Sequence, residues 1–200
     1  CLSVNDCVVH GTAGYLARPL APGDCLKVDI GVLHEGWIGD AGWTYLFTPV
    51  APEVRRLTNA SKEGLRRSVA MLAPGRPLVD WARSLQTYVE KEQGFHLVRG
   101  LGGHGYFRGS LHHAPFVSNV VPTAPGEWPD AHKPCTPGMV IAVEPMVAIG
   151  TGATRQKRGE WPIYIADGSC SVHHEHDVLV TESGPEVLTA GLDELPDEIG

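Results

Sequence analysis

The stretch from Leu26 to Phe47, LKVDIGVLHEGWIGDAGWTYLF, constrains this chain more than any other. Leu26, Val28, Ile30 and Val32 alternate with Lys27, Asp29, Gly31 and Leu33, the period of a β-strand. His34, Glu35 and Gly36 supply a turn, and Trp37, Ile38, Trp43, Tyr45 and Phe47 resume a β-rich run. With His34-Glu35 as the loop, Leu33 pairs with Gly36, and Asp29 falls directly opposite Asp40. Opposed carboxylates repel each other. At about 5 Å and an effective dielectric of about 20, the repulsion is roughly 3 kcal/mol. A cation between the two groups reverses the sign, so the pair is a first indication of a metal site. The alternative is that one Asp is a turn or edge residue and the pairing is accidental.

Two hundred residues, 42% of them hydrophobic and 20% charged, suffice for one soluble domain with its own core. A net charge of −7 without any Lys/Arg cluster argues against an extended nucleic-acid-binding face. The five cysteines are odd in number and scattered, with no CxxC pair, so a reducing, cytoplasmic setting is expected rather than a disulfide framework. No apolar run approaches the ~20 residues of a membrane span.

Residues 1–10 read as a short strand interrupted at Asn5-Asp6, and 11–23 as a loop. Two helices are predicted next. The first, over 53–73, has Val54, Leu57, Leu65, Val69 and Leu72 as its apolar stripe; the second, over 77–93, has Leu78, Trp81, Ala82, Leu85 and Val89. Both stripes read as core. A short strand over 95–99 leads into GLGGHGYFRGSLHHAP, read as a Gly-rich loop that carries His104, His112 and His113. Residues 121–137, with five prolines, form an irregular excursion. Met139–Ile149 reads as one apolar strand with Glu144 in its middle, where a lone buried carboxylate is costly. Residues 161–166 and 172–181 read as an antiparallel pair around Asp167-Gly168, the second strand carrying Glu175. The single domain is expected to span 1–190, and the acidic segment 191–200 to fray. Helices following an antiparallel hairpin, then more strands, make this an α+β protein.

Asp29, Asp40, His104, Glu144 and Glu175 are thus each presented from a strand or a Gly-rich loop. If they converge, only cations make the charge tolerable, and two divalent ions balance it better than one. Oxygen donors with a single imidazole suit Mn²⁺, Fe²⁺, Co²⁺ or Zn²⁺. Such dimetal sites lower the pKa of a bridging water, the attacking group in hydrolysis.

The motifs SVNDCVVHG (3–11), PGDCLKVDIG with GDAGWTYLF (22–47), GGHG (102–105), PGMVIAVEPM (137–146) and HEHDVLVT (174–181) resemble those of type I methionine aminopeptidases. Their order matches, as do the spacings of eleven residues from Asp29 to Asp40 and thirty-one from Glu144 to Glu175. The resemblance implies a pita-bread fold: a curved antiparallel sheet, helices on its outer face and a dimetal site at its centre. It implies that Asp29, Asp40, His104, Glu144 and Glu175 bind the metal pair, with Asp40 and Glu175 bridging and Glu144 also taking the proton from the attacking water. It implies that His10 and His112 contact the scissile amide and its oxyanion, and that Cys1, Leu111 and Trp161 line the pocket for a methionine side chain. The implied partners are nascent polypeptide N-termini, at the ribosome, and the implied reaction removes the initiator methionine.

Departures from the family pattern are also expected to matter. The chain reads as lacking the segment of some tens of residues that precedes the SVN motif in the family. The 104–113 loop is longer by one residue, with Tyr106 and Phe107 where small residues are the rule, which leaves His113 as an alternative to His112. The competing readings are a proline-specific aminopeptidase or prolidase and a metal-free binding protein of the same fold. A cupin-like barrel using His173, His174, Glu175 and His176 fails on the two consecutive helices.

Overall fold

A computed structural model describes all of residues 1–200. Strands β1 (Leu2–Val4) and β2 (Cys7–Val9) are separated by a turn in which Asn5 has φ 54°. They are followed by the long hairpin of β3 (Cys25–His34) and β4 (Trp37–Phe47). Helices α1 (Pro52–Val69) and α2 (Val79–Gln86) come next, and α2 runs on as a π-helical turn over Thr87–Glu92. Beyond them the chain is built of strands. These are β5 (His96–Leu97), β6 (Gly102–Phe107), β7 (Ser110–Ser118), β8 (Val140–Val143), β9 (Met146–Ala148) and β10 (Thr154–Gln156). The last are β11 (Ile163–Ile165), β12 (Ser171–His173), β13 (His176–Thr181), β14 (Gly184–Val187) and β15 (Glu198–Ile199).

The strands form four small sheets, ordered β1-β3-β4-β15, β10-β11-β2, β12-β9-β5 and β14-β13-β8-β6-β7. All pairings but β15-β4 are antiparallel. The helices cover the sheets on one side through the predicted stripes. Leu57, Leu65, Leu72, Trp81, Leu85 and Val89 join Val143, Val147, Val172 and Val178 in the main core. Residues 121–137 have no strand or helix, but backbone hydrogen bonds tie 131–135 to 75–79, around a bridge between Pro134 and Pro77.

Several expectations are corrected. The hairpin turn is Glu35-Gly36, both with φ > 0 (50° and 83°), so His34 pairs with Trp37 and Asp29 with Gly42. A two-residue hairpin loop favours positive φ, and glycine takes the second position at least cost. Asp29 and Asp40 are therefore diagonal neighbours on one face rather than directly opposed. The apolar residues Ile30 and Val32 lie on the solvent side, while Cys25 and Lys27 are buried.

The expected loop at 100–115 is instead the β6-β7 hairpin. Its glycines allow strands to approach where no side chain fits. A Cβ on Gly103 would lie 2.0 Å from the Ala142 carbonyl oxygen, and one on Gly105 2.3 Å from that of Ala114. Met139–Ile149 is two strands, because Pro145 has no N–H to continue the ladder. Strands β11 and β13 do not pair: β11 joins β10 and β2, while β13 joins β8 and β14. The C-terminal segment does not fray. Leu46 N–H donates to the Asp197 carbonyl at 2.7 Å, Lys62 bonds the Asp197 carboxylate at 2.9 Å, and β15 lies along β4.

Candidate active site and metal centre

Two strand breaks sit side by side. Strand β8 gives way to β9 at Glu144-Pro145, and β12 to β13 at His174-Glu175. Val143 pairs with His176 on one side of the breaks, and Met146 with His173 on the other. Each break steps the chain from one sheet to another and leaves a glutamate at the step. Asn119 Nδ2 donates to the Glu144 carbonyl at 2.9 Å, and Glu175 N–H to the Gly42 carbonyl at 2.8 Å, so both breaks are anchored. Gly42 is the residue opposite Asp29, and a Cβ there would lie 2.9 Å from Glu175 Oε2. The absence of a side chain lets the β3-β4 hairpin lie against Glu175.

The result is a cleft of about 580 Å³ lined by Asp29, Asp40, His104, Glu144 and Glu175 together. Asp40, His104 and Glu175 each offer a ligand atom within 4.8 Å of the others. His104 Nε2 lies 3.7 Å from Asp40 Oδ2 and 3.8 Å from Glu144 Oε1. Its Nδ1 faces the Gly105 carbonyl at 3.2 Å. A proton on Nδ1 donates there and leaves the Nε2 lone pair toward the carboxylates.

The electrostatics favour a cation. Burial, then the charges of Asp29 and Glu144, push the Asp40 carboxyl up to about 6. Burial, then Glu144, Asp40 and Asp29, hold Glu175 well above the ordinary carboxylate range. Without a positive charge this cluster cannot ionise fully. The donor set of four carboxylates and one imidazole fits divalent ions of the Mn, Fe, Co and Zn type.

The other anticipated residues line the same cleft: Cys1, His10, Leu111, His112 and Trp161. His10 follows β2 directly with φ 62°, and its ring meets Trp161 edge-on at 6.0 Å. The His112 ring meets His104 edge-on at 4.5 Å. His113 is exposed, stacks on Phe107 at 5.4 Å and does not line the cleft.

Three supporting groups escaped sequence reasoning. His173 is buried with Nε2 3.4 Å from Glu144 Oε2. Lys27, also buried, donates to the Asn5 carbonyl at 2.6 Å and the Ser171 carbonyl at 3.0 Å. It thereby ties the turn before β2, which carries His10, to the strand before Glu175. Asp177 accepts the Asp40 N–H at 3.0 Å. The period of two on β13 places Asp177 on the same side as Glu175, a signal that was available in HEHD.

Residues 1–182 match the model of metallopeptidase family M24. The chain belongs to metallopeptidase family M24. Methionine aminopeptidase 1 of Mycobacterium tuberculosis is 37% identical over 196 residues, covering 96% of this chain and 71% of that protein. Methionine aminopeptidase of Aquifex aeolicus is 35% identical over 189 residues, covering 94% and 70%. Among solved structures, methionine aminopeptidase of Thermotoga maritima superposes on this M24 chain with a TM-score of 0.84 at 34% identity, covering 94% of this chain and 72% of that one. The prolidase of Pyrococcus furiosus, at 23% identity and a TM-score of 0.71, covering 94% and 48%, shares the fold alone. The expected α+β pita-bread fold and the resemblance to methionine aminopeptidases are both borne out. M24 membership makes divalent metal part of the chemistry. No helix is long and apolar enough to cross a membrane.

Proposed function

We propose that this chain is a metal-dependent aminopeptidase that removes the N-terminal methionine from nascent polypeptides in the cytoplasm, at the ribosome. One observation carries the reading: five candidate ligands, two histidines and an apolar wall share one cleft. Asp29, Asp40, His104, Glu144 and Glu175 would hold two divalent ions. When bound, such ions supply a water of lowered pKa and offset the negative charge of the site.

Glu144 takes the proton of the attacking water and passes it to the departing amine. His173 Nε2 lies 3.4 Å from Glu144 Oε2, beside the proposed base. His10 and His112, which line the same cleft, donate to the scissile amide and the developing oxyanion. Donors aimed at developing charge contribute about 3 kcal/mol each. Cys1, Leu111 and Trp161 take the methionine side chain; a soft sulfur and apolar walls suit a thioether.

The test is hydrolysis of Met-Ala-Ser and Ala-Pro-Ser by metal-stripped protein, with and without added Mn²⁺ or Co²⁺. Metal-dependent release of methionine alone is expected, with Glu144→Gln losing about 10²–10⁴ in kcat. Release from Ala-Pro-Ser instead would transfer the chain to proline-specific chemistry. Hydrolysis of neither by folded, metal-loaded protein would overturn the peptidase reading.

A further inference from the structure

Asp177 is a fifth carboxylate beside the cluster, 4% exposed, and both of its oxygens are already engaged. Oδ2 accepts the Asp40 N–H at 3.0 Å, and Oδ1 accepts the Tyr106 hydroxyl. The Tyr106 ring meets the His104 imidazole edge-on, with centroids 5.2 Å apart. The sequence offsets match. Tyr106 follows His104 by two residues on β6, and Asp177, on β13, follows Glu175 at the preceding break by two. Asp40 contributes its own backbone from β4. One buried carboxylate therefore ties together the three strands that present Asp40, His104 and Glu175, the trio whose ligand atoms lie within 4.8 Å of one another.

A buried carboxylate next to four others is a poor choice for stability alone. It is tolerable where donors from two directions satisfy it, and a phenol supplies one without adding charge. Threonine or asparagine could cap a single N–H. Bridging a backbone N–H to a phenol across two strands calls for two acceptor oxygens at fixed separation. With both oxygens occupied, Asp177 supports ligands rather than serving as one.

We infer that Tyr106 and Asp177 form a strut that positions Asp40 and His104 for metal binding. Tyr106, the bulky residue in a stretch where small ones were expected, is then a positioning residue of this chain. The inference rests on the functional reading above. The strut fixes Asp40 through its backbone and His104 through its ring, so that ligand spacing is set before the ion arrives. Outer groups that orient metal ligands commonly matter about 10- to 100-fold in affinity.

The experiment is calorimetric titration of the metal-stripped full chain with Mn²⁺. The wild type, Tyr106→Phe, Asp177→Asn, the double variant and the neighbouring control Phe107→Ala are compared, and the metal-free melting temperature of each is recorded. Tyr106→Phe keeps the ring and loses only the hydroxyl. It should weaken the first binding event about tenfold or more, as should Asp177→Asn. The double variant should be little worse than either single one, because both break the same strut. Phe107→Ala should bind as the wild type does. At saturating metal, kcat for Met-Ala-Ser should fall while KM stays within about twofold. Metal affinity of Tyr106→Phe within about twofold of the wild type, with only the melting temperature lowered, would reduce the strut to a structural contact and overturn the inference. A wild-type chain that takes up no Mn²⁺ at all would instead overturn the functional reading on which it rests.

Discussion

Asp40→Asn separates what this carboxylate costs the fold from what it does for a metal. The side chain is nearly buried and held at about 6 against an ordinary 3.8, with Asp29 and Glu144 as its charged neighbours. A difference of that size corresponds to about 3 kcal/mol. Water in the open cleft screens part of it, leaving about 1–2 kcal/mol. The sign follows from linkage. A carboxyl raised in the folded state contributes its stability below its unfolded value and loses it as pH rises through the folded one. The metal-free wild type should therefore weaken between about pH 4 and about pH 6, while asparagine, neutral throughout, carries no such cost. Asparagine also keeps an oxygen for the Ala41 N–H, which lies 3.2 Å from Asp40 Oδ1.

In scanning calorimetry with chelator at about pH 7.5, Asp40→Asn should melt about 2–8 °C above the wild type. The gap should close toward about pH 4 as the wild-type carboxyl protonates. Added Mn²⁺ should reverse the order. At 100 times its dissociation constant a ligand stabilises by about 2.7 kcal/mol, and the variant, having lost a ligand, should gain little of this. A metal-free variant less stable than the wild type at neutral pH, or a gap that does not change with pH, would refute the reasoning.

Gly103→Ala should cost about 3 kcal/mol in urea unfolding, because its Cβ would meet the Ala142 carbonyl oxygen at 2.0 Å and β6 cannot yield without leaving β8. Asp24→Ala should cost about 2–3 kcal/mol by the same measurement. The buried Asp24 carboxylate accepts Arg18 Nη1 at 2.7 Å and Nη2 at 2.6 Å, Asn5 Nδ2 at 2.9 Å and the Ala21 N–H at 2.8 Å. Arg18 above all holds Asp24 below the usual carboxylate range, so its contribution is present above the ordinary value and lost as pH falls through the depressed one. Trp161→Ala should raise KM for methionyl peptides more than it lowers kcat, since its exposed ring walls the cleft beside His10 without reaching the metal ligands.

The helices were legible because their stripes are long and periodic, and the residues of those stripes are the ones found in the core. The β6-β7 hairpin was not legible, because its glycines read as a loop signal when they serve close approach. Gly103 and Gly105 have carbonyls of neighbouring strands where a side chain would stand. The strand segments over 139–149, 161–166 and 172–181 were legible as strand but not as partners, and β10, β14 and β15 were not read at all. Pairing between β9 and β12, or β8 and β13, depends on where Pro145 and the His174-Glu175 step interrupt the ladders, and local pattern carries no such long-range information. Glu144 nonetheless marked itself as a polar exception inside an apolar strand, and the resemblance to methionine aminopeptidases supplied the set of Asp29, Asp40, His104, Glu144 and Glu175.

The misread hairpin register shows why that anticipation survived. Moving the loop from His34-Glu35 to Glu35-Gly36 shifts every pairing by two residues, so Asp29 faces Gly42 instead of Asp40. Because side chains alternate with a period of two, such a shift changes neighbours but not faces. Asp29 and Asp40 remain on one side, now as a diagonal pair. At about 7 Å and an effective dielectric of about 20 their repulsion is still roughly 2.4 kcal/mol. A shift of one residue would have sent one carboxylate to solvent and removed the case for a cation. The diagonal also leaves space that a direct pair would not: Gly42 fills the position opposite Asp29, and Glu175 enters where its Cβ is missing. Parity, rather than exact register, is what lets the sequence report the site, and the departure from direct opposition is what makes room for the third carboxylate.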